Sequence, residues 1–171
     1  MVLPKKYYEK DLVMGKKEEK TNVMRILDAL KAEYEYFTYD NGQMSAGEIA
    51  RCIGVDPEAL YKTLVCVGKS GQNYVFMVRS EGELDLKKAA RAAGEKSMEM
   101  IPQKALLPLT GYIHGGCSPI GMKKQFPTFI DEIAELHEKI CFSGGKVGHQ
   151  VRTTLEDLRK AVPVTSADIA K

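Results

Sequence analysis

Apolar residues recur at helical spacing from Val23 to Tyr34, directly behind Thr21. Residues three or four positions apart share one face of a helix, and threonine is a common N-cap, so a helix is predicted to begin at Thr21. The aromatic-rich run over 34–39 is typical of a strand. The Asp-Asn-Gly sequence at 40–42 predicts the turn that ends this strand.

Cap and stop signals predict the next elements. Ser45 and Glu48 form a capping-box pattern in front of an apolar face, and Gly54 is the expected end of that helix. Asp56 is followed by proline, a combination that predicts a single helical turn running to Tyr61.

Two apolar runs, over 62–67 and 73–78, are separated by a glycine-containing turn and predict a β-hairpin. Helices and short strands alternate irregularly along the rest of the chain. This pattern predicts an α+β fold and not a regular array of βαβ units. The remaining predicted elements are helices over 85–93, 102–109 and 154–161 and strands over 111–114, 128–131, 139–142 and 147–152.

Length and composition indicate one globular domain. The chain has 171 residues, of which 44% are hydrophobic and 28% charged, and this usage supports one core of ordinary size. Residues 1–20 are charged and lack an apolar face, so we expect a flexible leader over 1–20 and a single domain over 21–171. No apolar run approaches the ~18 residues of a membrane span, and 1–20 lack the core of a signal peptide. We expect no membrane contact and a cytoplasmic protein.

The charge balance does not indicate a nucleic-acid partner. The formal net charge is +2, and residues 1–20, with six lysines and four acidic residues, carry all of it. Positions 21–171 hold 19 basic and 19 acidic residues, so only a local basic patch could support binding to a polyanion. The lysine pairs at 87–88 and 123–124 are interpreted first as solvated faces, with phosphate contact as the minor alternative.

The four cysteines and three histidines lack the spacing of a metal site. No Cys-x-x-Cys pair occurs, so we expect thiols that are buried or free, and no metal ion. The Gly-x-Ser-x-Gly and His-Glu-x-x-His patterns of common hydrolases and the phosphate-loop spacing are also missing from the sequence. We expect no cofactor, and an enzyme with this sequence would act by positioning and electrostatics.

Two glycine-rich loops are the most informative local features. The first covers 115–121 and contains Ser118 and Pro119, and the second covers 142–148. Glycines let a backbone approach a ligand closely, and such loops can present N–H donors to an anion or a polarised carbonyl. A tight connection between two strands is an equally good interpretation of the first loop.

Lys62 begins a predicted strand whose neighbouring residues are mostly apolar. Its aliphatic stem can lie along an apolar surface while the ammonium stays in water. An ammonium at the mouth of an apolar cleft can instead bind a phosphate or a carbonyl oxygen as a point charge. The residues alone leave both interpretations open.

Six short motifs follow one another along the chain. They are Thr38-Tyr39, Leu60-Tyr-Lys-Thr-Leu64, Leu84-Asp-Leu-Lys-Lys88, Thr110-Gly-Tyr-Ile-His-Gly-Gly116, Ser118-Pro-Ile-Gly121 and Phe142-Ser-Gly-Gly145. In this order and spacing they resemble the YbaK/EbsC family, the stand-alone relatives of the editing domain inserted in bacterial prolyl-tRNA synthetases. The resemblance extends over about residues 21–161.

The resemblance implies an α+β fold around a mixed, barrel-like sheet. It also implies trans-editing, the hydrolysis of the ester that joins a wrong amino acid to the 3′ end of a tRNA. The Cys-tRNA(Pro) deacylase branch is the most similar, and the alanyl-tRNA(Pro) deacylases are sister branches. By position, the resemblance predicts Lys62, Gly116 and Ser118 as catalytic residues. The predicted substrate-binding residues are Tyr39, Thr63, Pro119, Gly121, Ser143, Gly144 and Gly145.

Gln150 occupies a position, two residues beyond the last glycine of the second loop, where many family members have aspartate. An amide does not pair with an amino group as a carboxylate does, so this departure bears on amino-acid preference. We expect loop N–H groups and Ser118 to stabilise the oxyanion, and Lys62 to hold the terminal nucleotide or the carbonyl. Water or, as the resemblance implies, the thiol of the substrate would attack.

The expected partner is the aminoacylated 3′ end of a tRNA. Prolyl-tRNA synthetase is expected to assist, because a neutral domain binds tRNA weakly by itself. Three alternatives stay open: a deacylase for another small amino acid such as alanine, a non-catalytic module that binds a tRNA end or a synthetase, and a regulatory protein that binds a small molecule in the same cleft.

Overall fold

The computed structural model describes the backbone of residues 5–8 and all of residues 20–40 and 44–171. Most of the predicted leader, and positions 41 and 42 of the predicted turn, lie outside these ranges. The strands described are β1 (Lys5–Tyr8), β2 (Tyr34–Thr38), β3 (Tyr61–Gly68), β4 (Asn73–Arg79), β5 (Met98–Met100), β6 (Thr128–Asp131), β7 (Ile140–Ser143), β8 (His149–Thr153) and β9 (Val164–Ala167). The α-helices described are α1 (Asn22–Ala29), α2 (Ala46–Ile53), α3 (Leu86–Ala93), α4 (Gln103–Thr110) and α5 (Leu155–Ala161), with short 3-10 turns at Pro57–Ala59 and Glu132–Leu136.

Side-chain caps begin the helices where the sequence predicts them. Thr21 Oγ1 accepts the Met24 N–H at the start of α1, and the capping box between Ser45 and Glu48 is complete at the start of α2. Asp85 accepts two N–H groups of α3. Each cap satisfies donors that a helix start leaves without partners. In the part of the chain that the structure describes, every helix is too short or too polar to cross a bilayer.

The predicted β-hairpin is confirmed by β3 and β4, which pair antiparallel with Lys62 opposite Val78. The turn between the strands contains Gly71, whose φ is +90° and whose N–H donates to the Gly68 carbonyl at 2.9 Å. A side chain with a Cβ is strained at this angle, so the turn favours glycine. The hairpin fixes the position from which Lys62 leaves the sheet.

The strands form two sheets. The first has the order β1-β2-β8-β7 and is antiparallel, and the second has the order β5-β3-β4-β6-β9 with parallel β4–β6 and β6–β9 pairs. The sheets meet at a parallel bridge between Leu60 and Cys141. The α+β class is confirmed, but the predicted barrel-like closure is wrong. Among the described strands, β3 and β7 form no continuous ladder of hydrogen bonds, so the sheet stays open between them.

Residues 111–114 do not form the strand that the sequence predicts. Helix α4 ends at Gly111, whose φ of +85° is left-handed, and Thr110 Oγ1 then accepts the Tyr112 N–H. A local hydrogen bond of this kind removes a donor from any ladder, so the segment turns. Strands β1, β5 and β9 were not predicted. All three are edge strands of four residues or fewer, and β1 pairs with β2 from within the predicted leader.

The largest cluster of buried apolar side chains takes residues from both sheets and from α1 and α5. Phe142 of β7, Ile130 of β6 and Met77 of β4 are completely buried in it. Ile120 of the first glycine-rich loop belongs to the same cluster and is also completely buried. Removing such a side chain from water contributes roughly 1.5–3 kcal/mol, so the loop is anchored to the core by Ile120.

Candidate active site

A cleft of about 380 Å³ opens where the end of β2, the start of β3 and the end of β7 come together. Its polar wall contains Tyr39 just after β2, Lys62 and Thr63 on β3, Ser143 on β7 and Gln150 on β8. Because β8 pairs with both β2 and β7, Gln150 lies opposite Ser143. The apolar lining comes from Met44, Ala46, Ile49, Leu64 and Leu106.

The ammonium of Lys62 is held by a hydrogen bond that its Nζ donates to the Gly82 carbonyl oxygen at 2.7 Å. An ammonium has three donors, so two remain for a ligand. Among the described residues, no carboxylate forms an ion pair with Lys62. The side chain is half-buried, and a charge at such a site is screened less than in bulk water. Lys62 can therefore offer two donors and a positive charge to an oxygen atom in the cleft.

Three side chains that line the cleft, those of Tyr61, Thr63 and Gln150, have buried polar atoms without hydrogen-bond partners among the described residues. Gln150 Nε2 donates to Tyr39 Oη at 3.3 Å, whereas Gln150 Oε1 has no partner in the described structure. Thr63 Oγ1 is likewise buried and without a partner. A buried polar atom left without a hydrogen bond costs about 1–3 kcal/mol, so both atoms would gain from a ligand that supplies donors. Burial raises the pKa of Tyr39, which keeps its phenol neutral near pH 7.

The first glycine-rich loop reaches the cleft at Gly115 and Cys117. Gly116 is buried, and its N–H donates to a carbonyl of the preceding turn at 3.0 Å. Ser118 is 0% exposed, and its Oγ accepts the Ile120 N–H at 3.3 Å. The sequence predicts that Gly116 and Ser118 face the reacting carbonyl. In the structure neither residue lines the cleft: the Gly116 N–H and the Ser118 oxygen form hydrogen bonds inside the loop and support its shape.

Gly115 and Cys117 have backbone N–H groups for which the described residues provide no acceptor. The two residues lie close together in the chain and both line the cleft. Gly116 between them packs so tightly that an added Cβ would lie 3.1 Å from the Val147 backbone nitrogen. Unpaired N–H groups beside a cleft can stabilise a negative charge that develops on an ester oxygen. The structure thus provides candidate oxyanion donors next to the predicted ones.

The second glycine-rich loop follows Ser143 and packs against α1. Ser143 Oγ accepts the Gly145 N–H at 3.1 Å. Gly145 has a φ of +93°, and a Cβ added there would lie 2.9 Å from Val23 Cγ2 of α1. Gly121, at the end of the first loop, has a φ of +81° and would meet Asn22 of the same helix at 2.9 Å. Helix α1 therefore supports both loops, and the glycines permit the close approach.

Cys117, the cysteine that lines the cleft, is not an activated nucleophile. All four cysteines are free thiols, as the sequence predicts. Burial raises the pKa of Cys117 to about 12, and the thiolate is the reactive form, so Cys117 is a weak nucleophile near pH 7 although it lines the cleft. Over residues 20–40 and 44–171, no three His, Cys, Asp or Glu side chains are grouped closely enough to hold a metal ion.

Residues 40–161 match the family model described as the aminoacyl-tRNA editing domain. The matched range includes Lys62, Thr63, both glycine-rich loops and Gln150, and it covers more than half of the chain. The chain belongs to the aminoacyl-tRNA editing domain family. The resemblance that the six sequence motifs predict is thereby confirmed.

Two named proteins and one solved structure are similar to this editing domain. A protein of Enterococcus faecalis with the provisional name Cys-tRNA(Pro)/Cys-tRNA(Cys) deacylase EbsC is 44% identical over 143 residues, which cover 82% of this chain and 87% of the relative. A proline–tRNA ligase of Shouchella clausii is 26% identical over 102 residues, 60% of this chain and 18% of the ligase. A crystal structure provisionally titled as a trans-editing enzyme for prolyl-tRNA synthetase has a TM-score of 0.77 and 24% identity, covering 90% of this chain and 99% of the other. The last similarity shows a shared fold.

Four of the ten predicted site residues line the cleft of the editing domain, and six do not. Tyr39, Lys62, Thr63 and Ser143 line the cleft. Residues that line the cleft without having been predicted include the polar Tyr61, Ser80, His114 and Cys117, besides Gly115 and Leu106. Gly115 adjoins a predicted residue, whereas Leu106 lies on a helix without any chemical motif. The predicted residues that do not line the cleft are Gly116, Ser118, Pro119, Gly121, Gly144 and Gly145.

Proposed function

We propose that this editing domain is a trans-editing deacylase that hydrolyses the ester of mischarged tRNA, with Cys-tRNA(Pro) as its substrate. The observation that carries the proposal is the ammonium of Lys62, half-buried and without an ion pair among the described residues, in a cleft that is also lined by Gly115 and Cys117, whose N–H groups have no acceptor there. Positive charge and N–H donors in one cleft suit an ester whose carbonyl oxygen becomes negative in the transition state. The 44% identical relative bears the name of a deacylase with this substrate.

Positioning and electrostatics supply the catalysis in this proposal. An aminoacyl ester is already reactive, so a strong protein nucleophile is not required. Lys62 uses its two remaining donors to hold the terminal ribose or the ester carbonyl, and the N–H groups of Gly115 and Cys117 stabilise the oxyanion. Water, or the thiol of the bound cysteine, attacks the carbonyl carbon. The bond from that carbon to the ribose oxygen then breaks, and the oxygen takes up a proton as the tRNA leaves.

The cleft selects its amino acid by size and by polar contact. The cavity of about 380 Å³ has to hold the terminal ribose as well as the amino acid, so we expect the apolar lining and the polar atoms of Thr63 and Gln150 to leave room only for a small side chain. A bulky side chain is rejected by overlap, whereas near-isosteres differ by only ~1–3 kcal/mol. Alanine and serine esters are therefore expected to be hydrolysed more slowly but measurably.

The partner of the proposed activity is the aminoacylated 3′ end of tRNA. Prolyl-tRNA synthetase would produce Cys-tRNA(Pro) by mischarging, and it is proposed to assist delivery because residues 21–171 have no net charge. A cytoplasmic location follows from this proposal, since charged tRNA is used by the ribosome.

The test measures ester loss from Cys-tRNA(Pro) in single-turnover reactions with the full chain. Lys62→Met removes the charge with little change in volume, and a drop of about 10²–10³-fold is expected because a preorganised charge at the transition state is lost. The control is Lys160→Met, the same substitution on α5, where Lys160 pairs with Asp157. Thermal melts of all three proteins establish that the loss is not due to unfolding.

Ala-tRNA(Pro) and Ser-tRNA(Pro) are measured beside Cys-tRNA(Pro). Equal rates for the alanine and cysteine esters would contradict the cysteine assignment and leave a deacylase for small amino acids. No hydrolysis of any ester, with the tRNA still bound, would replace the enzyme by a non-catalytic tRNA-binding module.

A further inference from the structure

A basic groove lies on the outer side of α3. It is a cavity of about 500 Å³ between α3 and residues 95–98, and Lys87, Arg91 and Lys96 line it. Lys69 belongs to the same region, because its N–H donates to the Ser97 carbonyl at 3.1 Å. All four side chains are exposed. The basic groove is defined here by these four cations.

The positive charge of the basic groove is only partly offset, because one carboxylate lines it beside three cations. In the described structure none of the four cations forms an ion pair, whereas Lys88, the next residue after Lys87, bonds to Asp168 at 2.9 Å. Glu95 is the one acidic residue that lines the groove, and its carboxylate accepts the Ser70 N–H and hydroxyl. Lys88 is therefore paired with an aspartate, whereas Lys87 lines the groove and forms no ion pair among the described residues.

The loop between β4 and α3 links the groove to the cleft. Lys62 bonds to the carbonyl of Gly82, and the chain reaches Lys87 only five residues later. Five residues span at most ~18 Å, so the first cation of the groove lies within that backbone reach of the loop that holds Lys62. Lys87 and Arg91 are four residues apart on one helix face, separated by ~6 Å along its axis. Lys69 follows the other end of β3, ~23 Å along the strand from Lys62, so this row of positive charge lies at a distance from the proposed site of the tRNA end and not within the cleft.

We propose that the basic groove binds the sugar–phosphate backbone of the tRNA acceptor stem while the 3′ end occupies the cleft. The inference rests on the proposed function for the identity of the polyanion. Cations without partners attract phosphates strongly, since their binding releases counterions from the nucleic acid. Protein partners depend on apolar and aromatic anchors, and the exposed large apolar residue in the lining is Leu86 alone. An RNA backbone therefore fits the groove better than an acidic protein does.

The experiment measures binding of uncharged tRNA(Pro) by fluorescence anisotropy between 50 and 200 mM salt, so it does not depend on hydrolysis. The double variant Lys87→Gln/Arg91→Gln removes two cations from the groove. The slope of log K against log salt is expected to become shallower by about two, so the loss of affinity should be roughly tenfold greater at 50 mM than at 200 mM salt. The matched control, Arg159→Gln/Lys160→Gln, removes two cations of α5 that pair with Glu135 and Asp157 and is expected to keep the wild-type slope.

A second substrate separates this proposal from the proposed function. Hydrolysis of the cysteine ester of adenosine, which has no acceptor stem, is expected to be the same within twofold in the double variant and the wild type, whereas kcat/KM for Cys-tRNA(Pro) falls roughly tenfold. An unchanged salt slope in the double variant, or an equal loss in the control, would overturn the groove assignment. If the wild type hydrolyses neither ester, the proposed function is overturned. The salt dependence of tRNA binding then still tests whether the groove binds the RNA backbone.

Discussion

Gly145→Ala is expected to destabilise the domain through two separable effects. The first is backbone strain, because Gly145 has a φ of +93° and a left-handed conformation costs an alanine roughly 1–2 kcal/mol. The second is overlap, since the new Cβ would lie 2.9 Å from Val23 Cγ2 and 3.4 Å from Tyr112 Cε1. Neither neighbour is a flexible chain end: Val23 is buried in α1. Overpacking of this kind adds about 1–3 kcal/mol.

Gly71→Ala isolates the strain from the overlap. Gly71 has a φ of +90°, almost the same as Gly145, but nothing lies within 4 Å of its added Cβ. The two alanines also reduce the entropy of the unfolded chain equally, so this effect cancels. Gly71→Ala is therefore expected to cost about 1–2 kcal/mol, and Gly145→Ala about 1–3 kcal/mol more.

Urea denaturation measures the free energy of unfolding that each variant loses, and thermal melts provide a second measurement. For a chain of this size each kcal/mol lowers the melting temperature by about 2–4 °C, so Gly145→Ala should melt roughly 2–12 °C below Gly71→Ala. Equal stabilities for the two variants would refute the close packing of the second loop on α1. If the loop packs as described, ester hydrolysis should also fall in Gly145→Ala and not in Gly71→Ala, because Ser143 depends on the Gly145 N–H.

Three further substitutions test single features. Cys117→Ala should leave the rate of ester hydrolysis within threefold of wild type, since burial raises the pKa of this thiol to about 12; a larger loss would show that the sulfur takes part. Ser118→Ala leaves the Ile120 N–H without its acceptor and should cost about 1–3 kcal/mol in urea denaturation, with the rate of the folded protein unchanged. Hydrogen bonds from backbone N–H groups lower the pKa of Asp85, so its ionised form stabilises the fold above pH ~4 and this contribution is lost on acidification. Asp85→Asn should therefore flatten the acid side of the stability profile, and parallel profiles would contradict the cap.

Local signals predicted the elements around the cleft well. The caps at Thr21, Ser45 and Asp85 depend on hydrogen bonds within three residues, and such contacts can be read from a short stretch of sequence. The hairpin of β3 and β4 is also local, and it carries Lys62 and Thr63. The local pattern thus predicted the strand, and the family resemblance then assigned Lys62 and Thr63 on it to the site.

Contacts between distant segments account for what the sequence did not show. The hydrogen bond between Gln150 and Tyr39 joins positions 111 residues apart, and the absence of barrel closure depends on how β3 and β7 meet. The glycine-rich loop was recognised, but which of its N–H groups remain unpaired depends on the turn before Gly116. Motif spacing contains no information on that turn, so the prediction selected the residues beside the ones that line the cleft.

The pairing of β2 with β8 has a consequence for synthesis of the protein. The ribosome adds roughly 5–20 residues per second, so the 111 residues between Tyr39 and Gln150 take about 6–22 s to appear. During that interval the apolar side chains of Tyr36 and Phe37, buried in the finished fold, have no β8 to cover them. The hairpin of β3 and β4 can form early and present Lys62, whereas the opposite wall is added only when β8 leaves the ribosome. The nascent chain can therefore complete its cleft only after β8 has been synthesised, and the unpaired edge of strand β2 is open to intermolecular contacts until then.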